Sequence, residues 1–248
     1  MPIPFDLTGW PLAWMALAVL GAAYIRGYAG FGFSALVVSA SSLVTNPLNF
    51  VPVVMLLEIA ATAGQAPAAL KDFNKPLLGW LLLGATIGMP VSIGLLSSLD
   101  TDLLRLIISI WILIMCALLL SGWRLRTKVG TAGTVGVGIV SGLANAAAIG
   151  GLPVALFLTA QNLHARVFRA TMIFYLCAID LVALPILGYA GVISIDTFIA
   201  AALCTPLLGA GVWLGGRKFV SAAPENFRRM AISLLAFLAV LGLVKSLL

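Results

Sequence analysis

The stretch "RGYAGFGFS", Arg26–Ser34, places an arginine and three glycines inside an otherwise apolar run. Apolar segments extend on either side of it, over residues 10–26 and 31–45. A charged, flexible break between two such segments means different things in water and in lipid, so the character of the whole chain decides its reading. Of the 248 residues 62% are hydrophobic and only 9% charged, with a mean hydropathy of +1.16. Soluble domains are about a quarter charged, so this composition belongs in a bilayer.

Working outward from the break, prolines, glycines and charges divide the chain into ten helical candidates. In the first half these are 10–26, 31–45, 50–70, 76–98 and 103–123, and in the second 130–146, 149–162, 167–190, 196–216 and 227–247. Helix is the expected state because backbone exposed to hydrocarbon must satisfy its own hydrogen bonds. The connectors are short, which predicts a single membrane domain over 1–248 with no soluble domain attached. The start, "MPIPFDLTGWPL", has neither a basic region nor a small-residue cleavage site, so no cleaved signal peptide is expected.

The two halves match in order. "GFGFSALVV" (30–38) aligns with "GGLPVALFL" (150–158), "GATIGMPVSIG" (84–94) with "CTPLLGAGVWLG" (204–215), and "DLLRLIISI" (102–110) with "ENFRRMAIS" (225–233). The second match places Gly88 on Gly209 and Gly94 on Gly215. Three collinear matches predict an internal duplication, with repeat 1 over about 10–123 and repeat 2 over about 130–247. Basic residues gather at Lys71/Lys75, Arg124/Arg126/Lys128, His164/Arg166/Arg169 and Arg217/Lys218/Arg228/Arg229, while the alternate connectors are neutral or acidic. The positive-inside rule puts the basic set in the cytoplasm. The expected fold is therefore an all-α polytopic membrane protein: an inverted repeat of two five-segment halves, with both termini outside the cytoplasm. Short broken-helix pairs (10–45 and 130–162) would meet near the midplane, where inverted-repeat transporters bind substrate.

"RGYAGFGFS" has a counterpart at the same place in the second half, "GLANAAAIGGLP" (142–153). A helix beginning near Phe31 or Gly150 presents unpaired N–H groups and a partial positive charge. Glycine lets such backbone approach a ligand closely. Two such starts, facing each other, would cradle an anion. The candidate donors are backbone at Gly30, Phe31, Gly32, Gly150 and Gly151, with side chains from Tyr28, Ser34 and Asn145, and charge from Arg26 if it faces the cavity. Glu58 and Asp180 lie well inside apolar segments, where an ionised acid costs ~2.5–3.5 kcal/mol, which makes them candidates for proton or ion coupling. Gln65, two turns on from Glu58, is either interhelical glue or a further site donor.

Other residues read as structural. Cys116, Cys177 and Cys204 have no metal-ligand spacing, and His164, the single histidine, stands among arginines at an interface. The tryptophans fall near segment ends, as interface anchors do. The basic residues form no tail or face for nucleic acid. Neither a metalloprotease nor a hydrolase motif is present, so no enzyme activity and no cofactor are expected. A passive anion channel fits the same cradle. A metal-cation transporter would have only Glu58 and Asp180 as intramembrane ligands.

At "GYAGFGFS" and "GGLPVALF", and in the duplicated architecture around them, the chain resembles the TauE/SafE family of sulfite exporters and sulfonate-linked permeases. The resemblance covers nearly all 248 residues. It implies a multi-pass permease of a bacterial inner membrane that carries small anions such as sulfite or organosulfonates like sulfoacetate. The implied partners are that anion and the lipid bilayer, with a homodimer open.

Overall fold

A computed structural model describes residues 4–96, 99–125, 129–161, 163–219 and 224–247, apart from the side chains of 93, 95, 96, 218, 219, 224–231, 246 and 247. The expected cytoplasmic residues Arg126 and Lys128, and the side chains of Lys218, Arg228 and Arg229, lie outside this set. Among the described residues every regular element is helical: a 3-10 turn at Pro4–Asp6, then ten α-helices. They are α1 (Trp10–Ala29), α2 (Phe33–Ser41), α3 (Pro47–Ala69), α4 (Lys75–Leu96), α5 (Thr101–Leu120), α6 (Thr131–Asn145), α7 (Gly151–Ala160), α8 (Ala165–Tyr189), α9 (Ile195–Phe219) and α10 (Pro224–Leu247). This is an all-α polytopic membrane protein. Helices α1, α3, α5, α8 and α9 are long and apolar enough to cross a bilayer.

Local chemistry sets several boundaries. Asn46 caps α3, its side chain accepting from the Leu48 N–H, with Pro47 at the first helical position. Asp100 caps α5 through the Asp102 and Leu103 N–H groups. The surface runs opposite to that of a soluble protein. On α5, Leu103, Ile107, Ile110, Ile114 and Leu118 face outward, while Leu104, Ile108, Ile112 and Leu119 face the core. An apolar stripe on both sides of a helix fits lipid without and protein within.

The breaks differ from the expected boundaries. α1 runs on through Arg26, Gly27 and Tyr28 to Ala29, so only the three residues 30–32 depart from helix. Gly-Tyr-Ala can continue a helix, and the turn waits for Gly30 (φ 80°) and Gly32 (φ 90°), which take the left-handed conformation glycine allows. α2 and α7, with 9 and 10 residues, are shorter than expected. At 1.5 Å per residue they reach roughly 14–15 Å, about half the hydrocarbon core.

Packing joins the halves rather than separating them. α1 crosses α9 and α4 crosses α6 at close range, α3 packs on α8 through the centre, and α5 packs on α10. α2 lies against α1, α3 and α10, and α7 against α6, α8 and α5. These principal pairings stay the same when α1–α5 and α6–α10 are interchanged. Glycine sets the two closest crossings. A Cβ at Gly84 or Gly88 would lie 2.1 or 2.4 Å from a carbonyl oxygen of α6, and one at Gly211 or Gly215 would lie 2.8 or 2.0 Å from one of α1. Equivalent contacts therefore pair Gly84 with Gly211 and Gly88 with Gly215. The sequence alignment set Gly88 on Gly209 and Gly94 on Gly215, yet Gly209 and Gly94 face open space. Small residues recur so often along these helices that several registers match in sequence, and only the close crossing selects one.

Candidate functional site

The two breaks face one narrow cleft. Gly32, Ser34, Ala35 and Glu58 line it from the first half, and Ala148, Ile149, Gly151 and Leu152 from the second, with Leu176 of α8 beside them. The first turns of α2 and α7 thus meet at a single place, where helix starts leave backbone N–H groups without intrahelical partners. About 10 Å³ of the cleft is open to the centre of a water molecule, room for about one water.

Arg26 stands behind the cleft, entirely buried. Its Nη1 is 3.0 Å from Glu58 Oε2 and donates to the Gly30 carbonyl at 2.7 Å. Its Nη2 donates to Thr62 Oγ1 at 3.2 Å, and Thr62 in turn donates to the Glu58 carbonyl at 2.9 Å. The Ser34 hydroxyl donates to the other Glu58 oxygen, Oε1, at 2.5 Å. One guanidinium therefore ties the end of α1, the left-handed turn and the middle of α3 together. Arginine suits this position because its planar fork reaches several acceptors and keeps its charge when buried.

The second break is arranged around neutral donors. Ser141 donates to the Gly150 carbonyl at 2.6 Å and shares a 2.6 Å hydrogen bond with the Tyr175 hydroxyl. Asn145 Nδ2 reaches Asp180 Oδ1 at 3.5 Å, and the other aspartate oxygen has no partner among the described residues.

This order of breaks, spans and small-residue crossings runs through almost the entire length of the match that the model of the sulfite exporter TauE/SafE family makes, residues 15–242. The chain belongs to the TauE/SafE family. No curated protein and no solved structure gives a significant match.

In this TauE/SafE chain the candidate residues fall into three groups. Gly32, Ser34, Glu58 and Gly151 line the cleft, and Arg26 is bonded to one of them. Asn145 and Asp180 form a second buried pair on the other side. The remainder are placed differently. Gly30 faces Arg169, whose Cγ would lie 2.7 Å from an added Cβ. Phe31 packs edge-on against Phe168, with ring centroids 5.7 Å apart. Tyr28 is buried beside the α1–α9 crossing, and Gly150 is pressed against the Ser141 carbonyl and the Asn145 side chain. Gln65 is buried on α3 two turns from Glu58, with neither amide atom hydrogen-bonded among the described residues.

Three participants went unread in the sequence. Thr62 is one turn from Glu58, and the i, i+4 spacing on one helix was the available signal. Tyr175 is an ordinary aromatic in an apolar run and gave none. Arg169 was counted with the cytoplasmic basic cluster, but its Nη2 donates to the Gly27 carbonyl at 2.7 Å, which caps the carboxyl end of α1. Arg105, near the start of α5, has a similar task. It donates to the Ser42 and Thr45 carbonyls at 2.8 and 3.1 Å, and Lys245 donates to that of Leu43, so the carboxyl end of α2 is held by two cations.

Proposed function

We propose that this TauE/SafE chain is a secondary transporter of small sulfur-containing anions, sulfite or an organosulfonate such as sulfoacetate, working by alternating access. The observation that carries the reading is the shared cleft: two helix starts from different halves of the chain converge on it, with a buried arginine behind. Small tetrahedral or pyramidal oxyanions suit main-chain N–H groups, which lie close to the backbone and need no long side chain to reach them. Arg26, Ser34, Gly32 and Gly151 would hold the anion. Glu58 and Asp180 are the coupling candidates, and Gln65 would extend the site along α3.

The exchange-invariant packing of α1–α5 and α6–α10 supports two repeats, about 10–123 and 130–247. The alternation of basic and acidic connectors supports opposite insertion in the membrane, with both termini outside the cytoplasm of a bacterial cell. Cysteine labelling at Lys71 and Ser194, in a version lacking the native cysteines, tests this. The two sites should react from opposite sides, and labelling from one side would remove the inverted topology.

Transport itself is tested with purified protein in liposomes. Sulfite or sulfoacetate should accumulate inside against its gradient when a proton gradient is imposed. Flux that only runs downhill, and keeps pace with channel-like conductance, would favour the passive anion channel. Among the described residues no group of three or more potential metal ligands assembles.

A further inference from the structure

The charge of Arg26 is already taken. Its Nη1 meets Glu58 Oε2 at 3.0 Å while the Ser34 hydroxyl donates to Oε1 at 2.5 Å. The cation of α1 and the Ser34 hydroxyl of α2 thus both meet one carboxylate, and of the guanidinium nitrogens only Nε has no hydrogen-bond partner among the described residues. A carboxylate is itself a small oxyanion, and its two oxygens present to these donors what a sulfite or sulfonate group would present. The cleft has room for about one water, so an anion cannot simply be added beside Glu58. Electrostatics opposes the addition as well, because Glu58 and an anion side by side would compete for the one guanidinium that is ion-paired to Glu58.

We propose that the Glu58 carboxylate is the resident occupant of the anion site, and that an entering anion takes its place on Arg26 and Ser34. Resting on the anion reading above, this fixes the coupling. The ion pair of Arg26 and Glu58 opens, Glu58 takes one proton from the medium to become a neutral acid, and the anion pairs with Arg26. One monoanion and one proton enter together, and the net charge of the site is unchanged. Release of the anion reverses each step, so an empty site reseals itself with its own carboxylate and cannot pass protons without anion.

The ionisable groups around Glu58 are Arg26 from α1 and Asp180 and Cys177 from α8, which also turns Tyr175 toward Ser141 and Arg169 toward the Gly27 carbonyl. α2 contributes the Ser34 hydroxyl. Of the described ionisable groups on the other neighbours of α3, Asp102 pairs with Arg105, Asp196 accepts from the Phe5 N–H, Arg217 lies over Trp213, and Cys116 and Cys204 are free thiols. Asp180 is thus the competing proton acceptor, and the test has to separate the two acids.

Calorimetry of the purified protein with methanesulfonate does so, because that sulfonate stays ionised and any proton taken up belongs to the protein. Titrations in buffers of different ionisation enthalpy count the protons. The parent and Asp180→Asn should each take up one proton per anion, with affinity falling about tenfold for each unit rise in pH. Glu58→Gln should bind more tightly than the parent, take up no proton and lose the pH dependence. Zero uptake in the parent, uptake that persists in Glu58→Gln, or uptake that disappears in Asp180→Asn each overturns the displacement while leaving an anion site at Arg26. If Glu58→Gln does not fold, the parent and Asp180→Asn titrations decide the matter by the same criteria. Binding of neither methanesulfonate nor sulfite by any form overturns the anion reading together with the displacement.

Discussion

In the first break an arginine faces a glutamate; in the second an asparagine faces an aspartate. Arg26 reaches Glu58 at 3.0 Å with three further groups around the pair, whereas Asn145 reaches Asp180 at 3.5 Å and leaves an oxygen unpartnered. The backbones differ in the same sense. The first break turns on Gly30 and Gly32, and the second turns on Ala148, a residue with a side chain at φ 55°. A left-handed alanine costs ~1–2 kcal/mol relative to ordinary helix. Among the described residues the acid of the first break is paired with an arginine and that of the second is not. A cradle with two arginines would hold an anion tightly and release it slowly. With one, the site can be neutralised by a single internal acid.

The largest effect should come from breaking that asymmetry at its charged side. Arg26→Gln leaves Glu58 buried without a cation, and about 3–5 kcal/mol of stability should be lost, measured by thermal or denaturant unfolding in detergent. The corresponding change on the neutral side, Asn145→Ala, should cost only about 0.5–1.5 kcal/mol. Equal losses would mean that the two breaks are electrostatically alike after all.

Next in size are the crossings that relate the halves. Gly215→Ala puts a methyl 2.0 Å from the Tyr24 carbonyl, and Gly88→Ala puts one 2.4 Å from that of Ile139. Each should cost about 1–3 kcal/mol through overpacking. Gly209→Ala and Gly94→Ala, which meet nothing within 4 Å, should stay within about 0.5 kcal/mol of the parent. The reverse ranking would restore the register read from sequence.

Smaller again is Ser34→Ala: its hydroxyl serves Glu58 in the empty site and the anion in the filled one, so anion affinity should change tenfold or less, equivalent to no more than about 0.5–1.5 kcal/mol. The smallest effect is expected at Ala148→Gly. Relief of the left-handed strain is offset by the entropy that glycine loses on folding, so stability should shift by less than about 1 kcal/mol. Gly30→Ala, by contrast, should be clearly destabilising, because the new Cβ would also meet the Arg169 backbone oxygen at 3.2 Å.

Much of this was legible in the sequence because lipid imposes simple rules. An apolar run with few charges has to be helical, and each of the ten helices lies on one of the ten segments read from the apolar runs. The breaks were legible because glycines and a charge interrupt such runs, and the acids because they sit where acids are costly. What sequence could not supply was direction. Arg26 was visible as a charge but not as the partner of Glu58, since nothing local fixes which way the end of α1 points. Arg169 looked like a topology marker because it follows His164 and Arg166, and only the packing of α8 on the first break turns it inward. The glycine register failed for the opposite reason: there was too much signal, with several small-residue alignments equally good.

The glycine crossings also bear on how the chain is made. The helix that seals α1 is α9, whose Gly211 and Gly215 meet Leu20 and Tyr24 almost the whole chain later. At the usual pace of translation α1 waits roughly 10–40 s in the membrane before its partner leaves the ribosome. During that time the backbone that will lie against Gly215 can only face lipid or another protein. α4 meets α6 much sooner, so one crossing forms during synthesis and the other only near its end. A chain stopped short of α9 therefore lacks the closure of its first helix, and a cell's quality-control proteases would meet it in that unfinished form.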